Sequence, residues 1–212
     1  MSLSAEGPAA FDYAVSPETI ERLRLYETTL KRWQAAHNLI APSTVPQIWS
    51  RHFADSWQLS ALAPLSVRWV DMGSGAGFPG LIIALAMIEA GTAGAVELVE
   101  INPRRVAFLR EMVRLLRAPA RVHAIAIEEA HQLVALDVGV VTARAFTSLT
   151  NLCRLAKPFV DKGAVALFPK GQDVDAELTE TTKYWNIQHQ SFPSRTADNS
   201  AILRVDKLSC KD

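Results

Sequence analysis

Val70-Asp71-Met72-Gly73-Ser74-Gly75-Ala76-Gly77-Phe78-Pro79-Gly80 is the stretch on which the fold turns. It starts inside an apolar run, Val67 to Met72, passes three glycines within five residues, and leads into the apolar block Leu81 to Ile88. That order reads as strand, tight turn and helix. Glycines let the backbone turn sharply and approach a ligand closely, and the free N–H groups that open a helix attract polar or anionic groups.

Downstream, the same texture repeats. Candidate strands cover Val67 to Met72, Ala95 to Glu100, Ala120 to Ile125, Gly139 to Ala143 and Ala164 to Phe168, with helical patterns at about 78–89, 103–117, 128–135 and 147–157. Strands alternating with helices predict an α/β fold, a parallel sheet covered on both faces. The tail departs from this. After a helix at 173–183, two extended runs, Asn186 to Ser191 and Ala201 to Val205, are joined by a connection too short for anything but antiparallel pairing.

Upstream, the chain reads as helical. Ser16-Pro17 is a helix start, after which Ile20, Leu23, Leu30 and Trp33 keep a helical period with Tyr26 on the same side. Thr44-Val45-Pro46-Gln47 fits a capping box for a second helix, with Trp49, Phe53 and Trp57 four residues apart on one face. Such an aromatic stripe is expected to be core. The expected organisation is an N-terminal helical segment, 1–66, packed on a compact domain, 67–212.

Composition excludes several classes. Of 212 residues, 49% are hydrophobic and 21% charged, which suits one folded core and not a disordered chain. The longest apolar run, Leu81 to Ile88, is far short of the roughly twenty residues that span a bilayer. Met1 to Val15 lacks a secretory signal pattern, and Cys153 and Cys210 stand apart from other ligand types, so a cytoplasmic protein with reduced thiols and no metal site is expected. The 22 basic side chains balance 22 acidic ones, which argues against a nucleic-acid partner. The balance is uneven along the chain, however. Residues 101–121 hold Arg104, Arg105, Arg110, Arg114, Arg117 and Arg121 against Glu111 alone.

The glycine loop can be read in two registers. Gly75, Gly77 and Gly80 satisfy a dinucleotide fingerprint, with Glu100 where a ribose-binding acid belongs, which points to a nicotinamide-dependent oxidoreductase. In the other register, Gly73, Gly75 and Gly77 lie between Asp71, an acid suited to an ammonium, and Glu100, which can accept both ribose hydroxyls. That arrangement suits S-adenosylmethionine, and the antiparallel tail favours it.

At this point the chain resembles, over nearly its whole length, the bacterial small-subunit ribosomal RNA guanine-N7 methyltransferases, the glucose-inhibited division protein B family. The resemblance rests on Trp33-Gln34-Ala35-Ala36-His37-Asn38-Leu39, Arg51-His52-Phe53-Ala54-Asp55-Ser56, the loop Val70 to Gly80, Thr142-Ala143-Arg144-Ala145-Phe146 and Lys170-Gly171. Gln34 stands where the family's segment has asparagine. The resemblance implies a class I S-adenosylmethionine-dependent methyltransferase: a Rossmann-like sheet of seven strands, mostly parallel with one antiparallel, behind N-terminal helices. It implies methyl transfer to N7 of a guanine near the decoding centre, with 16S ribosomal RNA or the small ribosomal subunit as partner and no oligomer required. It also implies that Gly73 and Phe78 contact the cofactor, that Ile127 and Glu128 lie along the adenine, and that Arg144 touches the donor near the transferred group.

Guanine N7 has a lone pair and no proton to lose, so transfer to it needs in-line alignment more than a general base. Arg144, at the end of the fourth strand, is the candidate catalytic residue, a donor for guanine O6, with an ion pair at the sheet edge as the competing role. Gly75 and Glu100 complete the cofactor set. Lys170, read as following the fifth strand, is placed to meet phosphate, and Arg51 and His52 to line the RNA entrance. Arg110, Arg114 and Arg117, spaced four and three apart opposite Val106, Leu109, Val113 and Leu116, form either a solvated face or a phosphate track. A non-catalytic ribosome-binding module is the remaining alternative.

Overall fold

The computed structural model describes residues 7–144 and 147–211. Ala145 and Phe146 of the fourth quoted segment, and residues 1–6 of the stretch read for a secretory signal, lie outside the described residues.

Helix α1 spans Pro17–Gln34, and Ser16 caps it by accepting the Thr19 N–H. Glu89, at the far end of a later helix, completes this start: its carboxylate accepts the Ser16 N–H at 2.8 Å and the hydroxyls of Ser16 and Thr19 at 2.6 Å each. At the other end of α1, Gln34 ties the helix to the chain that follows it. Its amide oxygen accepts the N–H groups of Leu39 and Ile40, and its nitrogen donates to the Ile40 carbonyl.

The second N-terminal segment is less regular than expected. Pro42–Gln47 is 3-10 helix, Trp49–Ala54 is π-helix, Asp55–Trp57 is a single α turn, α2, and Gln58–Ala61 is 3-10 again. Thr44 is therefore not the cap of a helix; its hydroxyl bonds back to the Ala41 carbonyl at 2.8 Å. Pro46, lying inside the stretch, removes the N–H that a regular helix would need there. The aromatic stripe is core, as expected, with Trp49, Phe53 and Trp57 all buried.

The alternating region forms β1 (Arg68–Met72), α3 (Gly80–Glu89), β2 (Ala95–Val99), α4 (Pro103–Leu116), β3 (Ala120–His123), β4 (Val138–Thr142), α5 (Leu149–Val160), β5 (Val165–Lys170), α6 (Val174–Thr181), β6 (Trp185–Pro193) and β7 (Ala201–Cys210). The sheet order is β3-β2-β1-β4-β5-β7-β6, and β7 runs against both of its neighbours. This is the seven-stranded, mostly parallel sheet with one reversed strand. Strand β5 is longer than expected: Lys170 is its last residue, opposite Ala201, instead of following it.

The segment expected as a helix at 128–135 is 3-10 helix over Ile127–Leu136. Its apolar residues Ile127, Ala130 and Leu133 recur every third position and all three are buried. A repeat of three matches the 3-10 turn, whereas an α-helix presents a face every three to four residues.

Alternation along β1 sends Trp69 to one face of the sheet and Val70 and Met72 to the other. The first face is covered by α1, the 42–61 segment, α3 and α4 in a single apolar cluster; the second is covered by the 3-10 segment, α5 and α6. The N-terminal helices thus share their core with the sheet. No helix of the described residues is long and apolar enough to cross a membrane.

Candidate active site

Strand order reverses between β1 and β4, because β2 and β3 continue on one side of β1 while β4 and β5 lie on the other. Beyond the carboxyl ends of strands at such a point the sheet opens into a crevice that binds ligands. A cleft of about 670 Å³ lies here, lined by Gly73, Ser74, Gly75 and Phe78 after β1, by Arg144 after β4 and by Lys170 at the end of β5. Arg51, His52 and Asp55 line it from the N-terminal segment, and Ser194, Ala197 and Ser200 from the β6–β7 connection.

The loop glycines divide by what surrounds them. Gly77, at φ 92°, is packed so that a Cβ would sit 2.4 Å from Tyr26 Oη and 2.5 Å from Leu81 Cδ1. Gly80 is as confined: a Cβ would lie 2.4 Å from Leu98 and 2.6 Å from Asp71 Oδ2. Gly75, at φ 58°, has nothing nearer than the Gly73 carbonyl at 3.9 Å and borders the cleft. Two of the three glycines in the dinucleotide register therefore serve packing, and Gly75 is the cradle that a ligand can approach.

Asp71 is fully buried and accepts the Gly80 N–H at 3.0 Å, opening α3. Its other oxygen, Oδ1, has no partner among the described residues. Burial pushes its carboxyl up to about 6. Glu100, also buried, accepts the Gly75 N–H at 3.0 Å and the Asn102 N–H at 2.8 Å, and Arg105 stands 3.8 Å away. Each carboxylate oxygen keeps a further lone pair, so Glu100 can hold the loop and still accept a pair of hydroxyls. An open glycine, a spare buried anionic oxygen and a carboxylate beside an exposed Ile101 fit an amino-acid-bearing nucleoside such as S-adenosylmethionine.

Across the cleft, Arg144 is held by the N-terminal segment. Its guanidinium donates to His52 Nδ1 at 2.8 Å, to Asp55 Oδ2 at 3.1 Å and to the Arg51 carbonyl at 3.2 Å, and lies 5.3 Å from the Phe78 ring centroid. The ion pair read as the competing role is present, made with Asp55 of the N-terminal segment instead of at the sheet edge, and Arg144 also lines the cleft. Asp55 in turn accepts the Thr196 hydroxyl at 2.7 Å and the Gln58 amide at 3.0 Å. The Thr44 hydroxyl is committed to Ala41, so it accepts from His52 Nε2–H at 2.9 Å, and Nδ1 is left to accept from Arg144. Burial and the positive charges of Arg144 and Arg51 hold the imidazole down at about 3, so it is neutral. Phe78 is stacked between His52, at 4.8 Å, and Tyr26, at 5.3 Å.

The remaining expected residues divide. Lys170 lines the cleft but is neither solvated nor free: it pairs with Glu177 at 2.7 Å, its side chain only 9% exposed. Arg51 is exposed at the rim. Ile127 is buried in the core, Glu128 is exposed, and neither lines the cleft; nor do Arg110 and Arg114, which are exposed on α4. Sequence reasoning missed Asp55, Gln58, Thr196 and Glu177. Asp55 was visible inside the Arg51-to-Ser56 segment; the others lie far from Arg144 in sequence and carry no motif.

The fold and this cleft define a class I S-adenosylmethionine-dependent methyltransferase. Among solved structures, Aeropyrum pernix fibrillarin with natively bound S-adenosyl-L-methionine matches at a TM-score of 0.52, 18% identical, covering 71% of this chain and 76% of that one. An rRNA methylase from Streptococcus thermophilus matches at 0.50, 13% identical, covering 76% and 98%. At those identities the likeness is one of fold. A family model described as rRNA small subunit methyltransferase G matches residues 19–202. Ribosomal RNA small subunit methyltransferase G of Bradyrhizobium diazoefficiens is 50% identical over 92% of this chain and 75% of its own length. That of Methylobacterium nodulans is 45% identical over 92% of both. The chain belongs to the rRNA small subunit methyltransferase G family, and the oxidoreductase reading of the glycine loop is set aside.

Proposed function

We propose that this chain transfers the methyl group of S-adenosylmethionine to N7 of a guanine near the decoding centre of 16S ribosomal RNA, free or within the small subunit. One observation carries the reading: the cleft sets the open Gly75 opposite a clasped Arg144, and the two side chains that clasp it are not free to act as a general base. His52 already uses both ring nitrogens, and Asp55 uses both oxygens. A nucleophile with no proton to lose needs no base; an amine or a hydroxyl acceptor does.

The bound donor supplies an electrophilic methyl on a sulfonium centre. The protein's part is to bind and align. Gly73 and Gly75 let the backbone approach the donor, Glu100 accepts its ribose hydroxyls, and Asp71 Oδ1 supplies negative charge behind the loop. Phe78, walled by Tyr26 and His52, keeps water from the reacting side. Arg144, fixed by three acceptors, directs a donor at guanine O6 and holds N7 in register. Arg51 and His52 border the RNA entrance, with Lys170 on the wall.

Residues 1–66 and 67–212 work as one unit, because the clasp on Arg144 comes from the first and the donor site from the second. The chain acts as a monomer in the cytoplasm, where its RNA is. The test is incubation with labelled S-adenosylmethionine and either free 16S RNA or small subunits from cells lacking the activity, followed by mapping. Label at one guanine N7 is expected; no transfer to either substrate would overturn the proposal.

A further inference from the structure

The cleft holds a second pair that this mechanism does not use. Lys170 at the end of β5 and Glu177 on α6 form an ion pair at 2.7 Å, and both line the cleft. Glu177 Oε2 also accepts the Leu149 N–H at 2.8 Å, and the carboxylate remains 30% exposed. Lys170 reaches the Thr147 carbonyl at 3.5 Å, which leaves one of its three N–H donors unassigned.

Arg144 and this pair border one cleft from its two sides. Strands β4 and β5 are parallel neighbours with Thr142 opposite Leu167, and alternation sends Arg144 toward the N-terminal segment on one face and Lys170 toward α6 on the other, at the carboxyl edge where the cleft opens. Among the described residues the cleft has two lining carboxylates, Asp55 and Glu177. Asp55 is taken up by Arg144, Thr196 and Gln58, so Glu177 is the one with capacity to accept from a ligand.

Guanine is the base whose Watson–Crick edge sets an acceptor, O6, directly beside donors, N1–H and the N2 amino group. A lysine, which only donates, next to a carboxylate, which only accepts, is the complement of that edge. Adenine and cytosine reverse the order: an amino group would face the ammonium and a ring lone pair the carboxylate. In a largely buried pair such a mismatch leaves charged groups unsatisfied. O6 has two lone pairs, so Arg144 can take the one on the N7 side while Lys170 takes the other.

We propose that Lys170 and Glu177 are the specificity-determining residues that read the acceptor as guanine, Lys170 donating to O6 and Glu177 accepting from N1–H and the N2 amino group. This rests on the N7 reading above. Full-length protein is assayed on 16S RNA carrying either guanosine or inosine at the acceptor position; inosine keeps O6 and N1–H but lacks the N2 amino group. Wild type is expected to favour guanosine by about tenfold in kcat/KM, the effect of one hydrogen bond to a charged group. Glu177→Gln should bring that ratio within about twofold of one, because the inosine reaction loses less than the guanosine reaction. Lys170→Met should lower both reactions equally, by about tenfold, and leave the ratio unchanged.

Melting temperature and donor Kd, measured alongside, report any purely structural role, which would move both substrates together in Glu177→Gln. A Glu177→Gln variant that keeps the tenfold ratio overturns the proposal. If that variant does not fold, a wild-type ratio near one, or a ratio changed by Lys170→Met, overturns it instead. Wild-type protein that methylates neither RNA removes the N7 reading itself; equal methylation of both removes only the base-reading pair.

Discussion

Gly75 and Gly77 carry the same side chain and do different work. Placing a methyl group on Gly77 drives it into Tyr26 and Leu81, whereas on Gly75 it points into the cleft. Gly77→Ala should therefore lower the melting temperature with a destabilisation of several kcal/mol. Gly75→Ala should cost the fold about 1 kcal/mol for its left-handed backbone but remove most of the donor affinity. Calorimetric titration with S-adenosylmethionine beside thermal unfolding separates the two. The sequence allowed both registers because the groups that decide between them, Tyr26 and Leu98, are remote from the loop. A second contrast concerns protons. Asp71 is raised to about 6, so between roughly pH 4 and 6 the folded chain holds a proton that the unfolded chain releases, and stability falls as pH rises. His52 is lowered to about 3, so below its ordinary value near 6.5 the unfolded chain takes a proton that the folded chain refuses, and stability falls as pH drops. The two slopes oppose each other. Relative to wild type, Asp71→Asn should make stability rise more steeply with pH across 4–6, and His52→Asn should make it fall, as read by urea midpoints on donor-free protein.

At the scale of elements, α4 is the clearest test. Asn102 caps it by accepting the N–H groups of Arg104 and Arg105, and Val106, Leu109 and Leu116 bury its inner face. Glu111, the one acid of residues 101–121, is engaged elsewhere, bonding Arg32 and the Trp33 indole. Among the described residues Arg110, Arg114 and Arg117 pair with no carboxylate, a face suited to a phosphate backbone. The double variant Arg110→Glu, Arg114→Glu should weaken RNA binding and flatten its salt dependence while leaving donor affinity unchanged. Unaltered RNA binding in filter or fluorescence titrations would make α4 merely a solvated face. The sequence disclosed this helix, and every strand to within a few residues except β7, expected over Ala201 to Val205 and running on to Cys210, because burial writes strong apolar periods. It misled where periods were weak or mixed. The three-residue spacing of Ile127, Ala130 and Leu133 passes for an α pattern in a short window. The 42–61 segment changes helix type three times, because Pro46 and the bonds of Thr44, His52 and Asp55 to distant partners outweigh local preference.

For the whole molecule, what was legible was the order of elements and the glycine loop that borders the cleft, both written in contiguous motifs. What was not legible was the clasp. It joins Arg144 to Asp55 across 89 positions and Asp55 to Thr196 across 141, and no local pattern encodes such a meeting. The charge balance shows the same division between local and global. Six arginines and one acid in residues 101–121 leave sixteen basic and twenty-one acidic side chains in the remainder, so neutrality is a cancellation between two parts of one body. A neutral body with separated charge is an electric dipole. The field of a polyanion would draw such a body in only weakly from a distance, but it would exert a torque on it, favouring orientations that turn the arginines of α4 toward the negative charge.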